Sequence, residues 1–307
     1  MISICIPAYN CEVEALVCSL QQQIDSLQLP AEVLVLDDCS PNPINLKESY
    51  ASVRLFRNEQ NLGRASTRNK LMQEAQGAFL LFLDGDSLII SSDYLKKWVA
   101  QRNTMGEFSC CYGGSVYQTE EPPLSHLLRW KVSNEKESRS QIERAKKGFG
   151  FKTNNVLLSK AITNQLQFNE ALKGYGHEDT LFGFELEALG YNISHIENPV
   201  KNAILDTNQD FLMKTKEALA NLILCINLAT KPPAFVQHVT LLRTYFQLKK
   251  YYMLPLLRGY AWFILKSISR NLENGKSVGM VRRYDLYKLI VLDQLFRSNP
   301  LLVRLRL

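Results

Sequence analysis

The chain has 307 residues, 46% of them apolar and 21% charged, with a net charge of +6. This composition supports an ordinary buried core and excludes a disordered chain, and the length fits one large α/β domain with an appendage. From Arg243 onward 13 Lys or Arg stand against three acids, Glu273, Asp285 and Asp293, a balance of +10 that leaves −4 for the first 242 residues, so an anionic surface would meet the C-terminal part.

The seven cysteines are odd in number and lack C-x-x-C spacing, which predicts reduced thiols in the cytoplasm and no structural zinc. The opening segment has no basic leader and too few apolar residues for a signal peptide. Tyr251 to Ile268, the best membrane candidate, is broken by Pro255, Arg258 and Lys266; it is too short and too charged to span, but can lie on a surface.

In chain order, ISICIPAYN reads as a buried strand entering a loop. Val13, Leu16, Val17, Leu20, Ile24 and Leu27 then share one helix face, closed by Pro30. EVLVLDDCS is a second strand, Val53 to Arg57 a third, Ala65 to Gln76 a helix, and AFLLFLDGD a fourth strand. GFGFKTNNVLLS reads as a strand and turn, Asp179 to Leu189 as a helix, and Asn192 to Ile196 as a strand. Beyond about Asn208 the pattern changes to long amphipathic helices, with a break at Lys231-Pro232-Pro233 and a loop at Gly275. The alternation predicts a doubly wound, mostly parallel α/β sheet over residues 1–205 and an α-helical extension over 206–307.

Ligands of such sheets bind beyond the carboxyl ends of the strands, which is where Asp37, Asp38, Asp84 and Asp86 fall. Asp84-Gly85-Asp86 offers hard oxygen ligands suited to Mg²⁺ or Mn²⁺ bridging a diphosphate, although the same tripeptide also makes ordinary turns. Asp37 and Asp38 suit either a loop cap or hydrogen bonds to a nucleobase or ribose. In NLGRASTRN, Gly63, Arg64 and Arg68 at a helix start suit phosphate, as they would a solvated helix face. Glu178 and Asp179 open a helix, where acids balance the dipole or serve as a general base. His195 falls inside a strand pattern and reads as a core or supporting residue.

In order and spacing, Pro7-Ala8-Tyr9-Asn10, Asp37-Asp38-Cys39-Ser40, Asn61-Leu62-Gly63-Arg64 with Arg68-Asn69, Asp84-Gly85-Asp86 and Gly174-Tyr175-Gly176-His177-Glu178-Asp179 resemble family 2 glycosyltransferases of the Rossmann-like GT-A fold. TNNVLLSK, FNEALKGYGHEDTLFG and HIENPVKN are similar to bacterial members that build surface polysaccharides. The resemblance covers roughly the first 205 residues. It implies an inverting, metal-dependent transfer of sugar from a nucleotide-sugar, a UDP-sugar above all, to a glycan or lipid-linked glycan.

Under that resemblance Pro7, Tyr9 and Asp37 border the base, with Asp38, Gly63 and Arg64 or Arg68 nearby. Asp84 faces ribose and metal, Asp86 binds the metal, Asp179 is the catalytic base, and Glu178 orients hydroxyls. Asn154 and Asn155 lie near donor and acceptor. One departure is that Asn202 stands where similar proteins usually carry a metal-binding histidine; Asn202, water or Asp206 would complete the shell, or the protein is a catalytically impaired nucleotide-sugar binder.

A nucleotidyltransferase is disfavoured because no glycine-rich loop follows the first strand, and no nucleic-acid-binding module is recognised. Between Val278 and Arg297, the stripe Val281, Leu289, Leu292, Phe296, flanked by Arg282, Arg283, Lys288 and Arg297, predicts either peripheral contact with anionic lipid on the cytoplasmic face of the membrane or packing inside the protein.

Overall fold

The computed structural model describes residues 1–146, 151–275 and 278–298; Gly148 to Gly150 of the GFGF segment lie outside them. The chain forms two units. The first comprises Met1–Gln118, Lys136–Lys173 and Glu178–Ile204; the second comprises Thr119–Glu135, Gly174–His177 and the chain from Leu205. Two short stretches from the first 205 residues therefore belong with the helical part.

The first unit is built on strands β1 (Ile2–Ala8), β2 (Ala31–Asp37), β3 (Val53–Arg57), β4 (Phe79–Leu83), β6 (Cys110–Tyr112), β8 (Asn155–Ser159) and β9 (Ile193–His195). Their order in the sheet is β3-β2-β1-β4-β8-β6-β9. The pairs from β3 to β4 are parallel, β8 runs antiparallel to both β4 and β6, and β9 is parallel to β6. A smaller sheet, in the order β5-β10-β7, joins β5 (Ser87–Ile89), β10 (Val200–Asn202) and β7 (Ser115–Val116).

The central strands read as unbroken apolar runs because both faces are covered. On one face, Ile2, Ile4 and Ile6 of β1, Val33 and Val35 of β2 and Leu81 and Leu83 of β4 pack on α1 (Glu14–Leu27) and α3 (Tyr94–Thr104). On the other face, Cys5, Leu34, Leu80 and Phe82 meet α2 (Arg64–Glu74), α6 (Lys160–Gln165) and α7 (Glu178–Ala188). Each strand thus alternates its side chains between two cores, which is the doubly wound arrangement.

After β3 the chain returns past β1 to form β4 on the far side, so the strand order reverses between β1 and β4. Such a reversal opens a crevice at the carboxyl ends of the strands. Tyr9-Asn10-Cys11 leaves β1 at that place, and Asp84-Gly85-Asp86 leaves β4.

The second unit is helical. Its elements are α4 (Leu127–Val132), α8 (Asn208–Leu228), α9 (Pro232–His238), α10 (Thr240–Lys250), α11 (Leu254–Glu273) and α12 (Met280–Ser298). Thr207 caps α8 by accepting from the Asp210 N–H, and Pro232 opens α9 after the expected break. Gly174–His177 is pinned on α8, where Asn221 Nδ2 donates to the carbonyls of Tyr175 and Gly176 at 3.2 and 3.1 Å.

Part of the α12 stripe packs inside the helical unit: Val281 and Leu292 are buried, α12 packs on α8 and α11, and the half-buried Phe296 ring stacks on Tyr245 at 4.7 Å, while Leu289 is also half-buried.

Leu81 is fully buried at the centre of β4. Leu81→Ala is expected to lower the unfolding free energy by about 2–5 kcal/mol, measured by urea unfolding followed by intrinsic fluorescence.

Candidate active site

The two acids after β2 are held by the protein itself. Asp37 is buried; its Oδ1 accepts from the Ser40 N–H at 2.8 Å, its Oδ2 from the Ile44 N–H at 3.3 Å, and Arg57 Nη1 pairs with Oδ2. Burial pushes the Asp37 carboxyl up, but the Ser40 and Ile44 hydrogen bonds and the Arg57 charge outweigh it and hold it below the usual carboxylate range. Asp38 ties down the next loop, accepting from Asn58 Nδ2 and the N–H groups of Leu62 and Gly63 at 2.8–2.9 Å. Its carboxylate is thereby committed to orienting that loop.

Gly63 caps α2 with φ of 85°, a left-handed conformation that glycine adopts at least cost. Arg64 is exposed at the first position of α2. One turn later Arg68 is 1% exposed, and its guanidinium reaches two carboxylates from distant segments. Nη1 donates to Glu178 Oε1 at 2.8 Å and Nη2 to Asp84 Oδ1 at 3.1 Å, while the group lies 5.6 Å from the centre of the Phe168 ring. Arg68 is buried beneath the site, so it positions acids and does not present itself to a ligand.

Asp84 and Asp86 are both partly exposed, and Gly85 between them is buried. A Cβ on Gly85 would lie 2.8 Å from Cys11 Sγ and 3.2 Å from Ala8 Cβ, so the turn can approach the end of β1 only as glycine. Burial raises the Cys11 thiol pKa, and Asp86, Asp84 and Asp37 add to the rise against a backbone hydrogen bond at Tyr9. Three of the predicted acids thus act electrostatically on the thiol of the loop after β1. Tyr9 is about half exposed and Pro7 partly exposed at the same strand end.

Asn202 reaches the site through the small sheet. It pairs with Ser87, directly after Asp86, and the neighbouring Ala203 N–H donates to the Asp86 carbonyl at 3.1 Å. Asp206 belongs to the helical unit, where its Oδ1 lies 2.6 Å from Lys214 Nζ. Among the described residues no group of three or more His, Cys, Asp or Glu side chains is assembled as a metal cage. Carboxylate and amide oxygens, the donors that Asp84, Asp86 and Asn202 carry, are of the chemistry that Mg²⁺ and Mn²⁺ favour.

Glu178 and Asp179 begin α7 and face different environments. Glu178 is buried; burial raises its pKa, but the charges of Arg68 and then Arg64 prevail and hold it below the usual range. Asp179 keeps 19% of its side chain exposed, accepts from the Thr180 N–H at 2.7 Å, and lies 3.9 Å from Lys152 Nζ. The Arg68 bridge thus joins the Asp84 turn to the residue immediately before Asp179.

The two asparagines of the TNN segment part company. Asn154 is partly exposed and accepts from the Tyr112 hydroxyl at 3.1 Å. Asn155, expected near donor and acceptor, is fully buried: it donates to the carbonyls of Gly114 and Asn198 at 2.7 and 2.8 Å and accepts from the Tyr94 hydroxyl at 2.7 Å. Asn154 lies in the turn before β8, whereas Asn155 is the first residue of that strand, all five of whose residues are buried. His195, on β9, lies edge-on to the Tyr112 ring; burial and the Arg144 charge lower its pKa to about 4.

Several participants escaped the sequence reading. Arg57 and Lys152 were single polar residues without a motif of their own, and Asn69, although within NLGRASTRN, carried no assigned role. Asn69, adjoining Arg68, clasps the Phe168 backbone through both amide atoms at 2.9 Å. Its place beside Arg68 in NLGRASTRN was the available signal.

The strand order, the crevice at its reversal point and the acids after β2 and β4 define an α/β fold of the GT-A type. Residues 3–164, more than half of the chain, match the profile of glycosyl transferase family 2, and the protein belongs to that family. Relatives include an uncharacterized glycosyltransferase of Haemophilus influenzae, 44% identical over 89 residues that make up 28% of this chain and 29% of that one. The UDP-Glc:alpha-D-GlcNAc-diphosphoundecaprenol beta-1,3-glucosyltransferase WfgD of Escherichia coli is 32% identical over 95 residues, 30% of this chain and 37% of that one. The chain spans well under two thirds of the length of these relatives. Among solved structures, the mannosyltransferase PcManGT of Pyrobaculum calidifontis, in complex with GDP-Man and Mn²⁺, superimposes with a TM-score of 0.55 at 15% identity, covering 94% of this chain and 86% of that one. At that identity the likeness concerns the fold.

Because the folded-state pKa of Glu178 lies below its unfolded value, its ionised form stabilises the protein. That contribution is complete above about pH 4.3 and is lost as pH falls through the folded value. Arg68→Met, which leaves Glu178 buried and unpaired, is expected to cost about 3–5 kcal/mol at neutral pH. Unfolding titrations across pH should show the wild type losing stability on acidification and Arg68→Met losing less; parallel curves would refute the bridge.

Asn155→Ala strands the Tyr94 hydroxyl and the Asn198 carbonyl, and is expected to cost about 1–3 kcal/mol. Donor affinity of the folded fraction, read by calorimetry, is expected to stay unchanged.

Proposed function

We propose that the protein is an inverting glycosyltransferase that moves a sugar from a nucleoside-diphosphate donor, a UDP-sugar above all, onto a glycan or lipid-linked glycan acceptor in polysaccharide biosynthesis. The observation that carries this reading is the Arg68 bridge, which ties the Asp84-Gly85-Asp86 turn to the start of the helix bearing Asp179. Family membership, and relatives named as polysaccharide glycosyltransferases, support the same class of reaction.

In this reading Pro7 and Tyr9 flank the base together with the Asp37 loop, and Asp38 shapes the Gly63–Arg64 turn that faces the donor. Asp84, Asp86 and Asn202 would hold Mn²⁺ or Mg²⁺, which would neutralise the leaving diphosphate. Asp179 takes the proton from the acceptor hydroxyl as it attacks the anomeric carbon from the opposite face. That single in-line displacement passes through an oxocarbenium-like transition state and inverts the configuration. Glu178, locked to Arg68, keeps the first turn of α7 in register so that Asp179 stays aimed, and Asn154 borders the acceptor. The free thiols support a cytoplasmic setting, on the side where such donors are made.

A panel of nucleotide-sugars with and without Mn²⁺, scored for donor hydrolysis and thermal stabilisation, tests the class. Donor binding without turnover by the wild type would instead support an impaired binder. Asp179→Asn is expected to cut kcat by about 10²- to 10⁴-fold with donor affinity retained. Asp86→Ala is expected to weaken metal and donor binding together. Full turnover by Asp179→Asn would remove the base from the scheme.

A further inference from the structure

The helical unit carries an exposed surface that the transfer reaction does not use. Helix α11 buries Leu254, Ala261, Ile268 and Leu272 against its neighbours in the unit, yet its opposite face is also apolar through its first turns. Leu256 is 70% exposed, Trp262 81% and Phe263 74%, with Tyr260 beside them. The turn leading into the helix adds Tyr251, Tyr252 and Met253, all exposed, with Tyr252 held at a left-handed φ of 56°. An apolar face this continuous is uncommon on the surface of a monomer and marks a contact site.

The charges around it identify the occupant. Residues 218–272 contain no Asp or Glu. Lys249 and Lys250 precede the aromatic turn, and the exposed Lys266 and Arg270 follow it on the same helix. Between Tyr251 and Leu265 the one charged residue is Arg258, whose guanidinium is engaged by Asp293 of α12 through two hydrogen bonds of 2.9 Å. The face is therefore a belt of Trp, Phe, Tyr and Leu bordered by unopposed cations, the composition that seats a helix in the headgroup region of an anionic bilayer. A second copy of the same face would bring like charges together, which disfavours self-association. Among the described residues no helix is long and apolar enough to cross a membrane, so the contact is one of lying in the interface.

We propose that the 251–270 face is a docking surface for anionic phospholipid, with Leu256, Tyr260, Trp262 and Phe263 entering the interface and Lys249, Lys250, Lys266 and Arg270 meeting headgroup phosphates. The inference needs nothing from the transfer chemistry.

It is tested with the full chain by co-sedimentation with vesicles of phosphatidylcholine alone or mixed equally with phosphatidylglycerol. The wild type is expected to pellet with the mixed vesicles, less so at high salt. Trp262→Ser combined with Phe263→Ser is expected to lower partitioning by about tenfold or more with the melting temperature unchanged, since both side chains are in solvent. Brominated lipid is expected to quench tryptophan emission in the wild type and to lose most of that quenching in Trp262→Phe. Equal pelleting of wild type and double variant would overturn the proposal. So would a wild type that ignores vesicles but forms a dimer dissolved by the same substitutions, which would assign the face to a second copy.

Discussion

A guanidinium removed from water is costly unless its charge is balanced, and Arg68 meets that condition with a carboxylate on each of Nη1 and Nη2 and an aromatic ring beside it, although its buried Nε–H finds no hydrogen-bond partner. Its partners come from the turn after β4 and the first residue of α7, roughly 95 positions apart in the chain. Because the charge tolerates no other neighbour at that depth, the two segments have one relative placement. The half-exposed Asp84 is held directly by Arg68, and Asp179 takes its position from the buried Glu178 that precedes it in the chain.

Similar logic governs the rest of the crevice. Asp38 spends its carboxylate on the loop that opens α2, and Asp37 spends its own on the 40–44 turn and Arg57. Gly85 lets the Asp84-Gly85-Asp86 turn press against the end of β1, where Tyr9 emerges. Backbone proximity, enforced by a missing Cβ, places the acids after β4 beside the loop after β1.

The helical unit follows a different principle. Its core is made by apolar stripes from α8, α11 and α12, and Asp293, buried on α12, gathers Arg258 and Arg297. Neutralising Arg258 internally leaves the outer side of α11 without charge along its first turns. Four exposed cations, Lys249, Lys250, Lys266 and Arg270, then lie at the borders of that face.

Most elements were legible in the linear pattern, since buried strands of a doubly wound sheet are short apolar runs that end in polar turns, and β1, β2, β3 and β4 lie where those runs lie. The order of motifs also announced the family, because close spacing along the chain is itself a local property. Three things were decided only in three dimensions. Asn154 and Asn155 look alike in sequence, but the first falls in the turn before β8 and the second opens that wholly buried strand. The α12 stripe and the α11 apolar run are equally amphipathic on paper, and packing covered more of the first. Arg68 read as a phosphate ligand until burial made it a brace. Periodicity says which residues share a face; it does not say what covers that face, because the covering atoms come from parts of the chain that no local window contains.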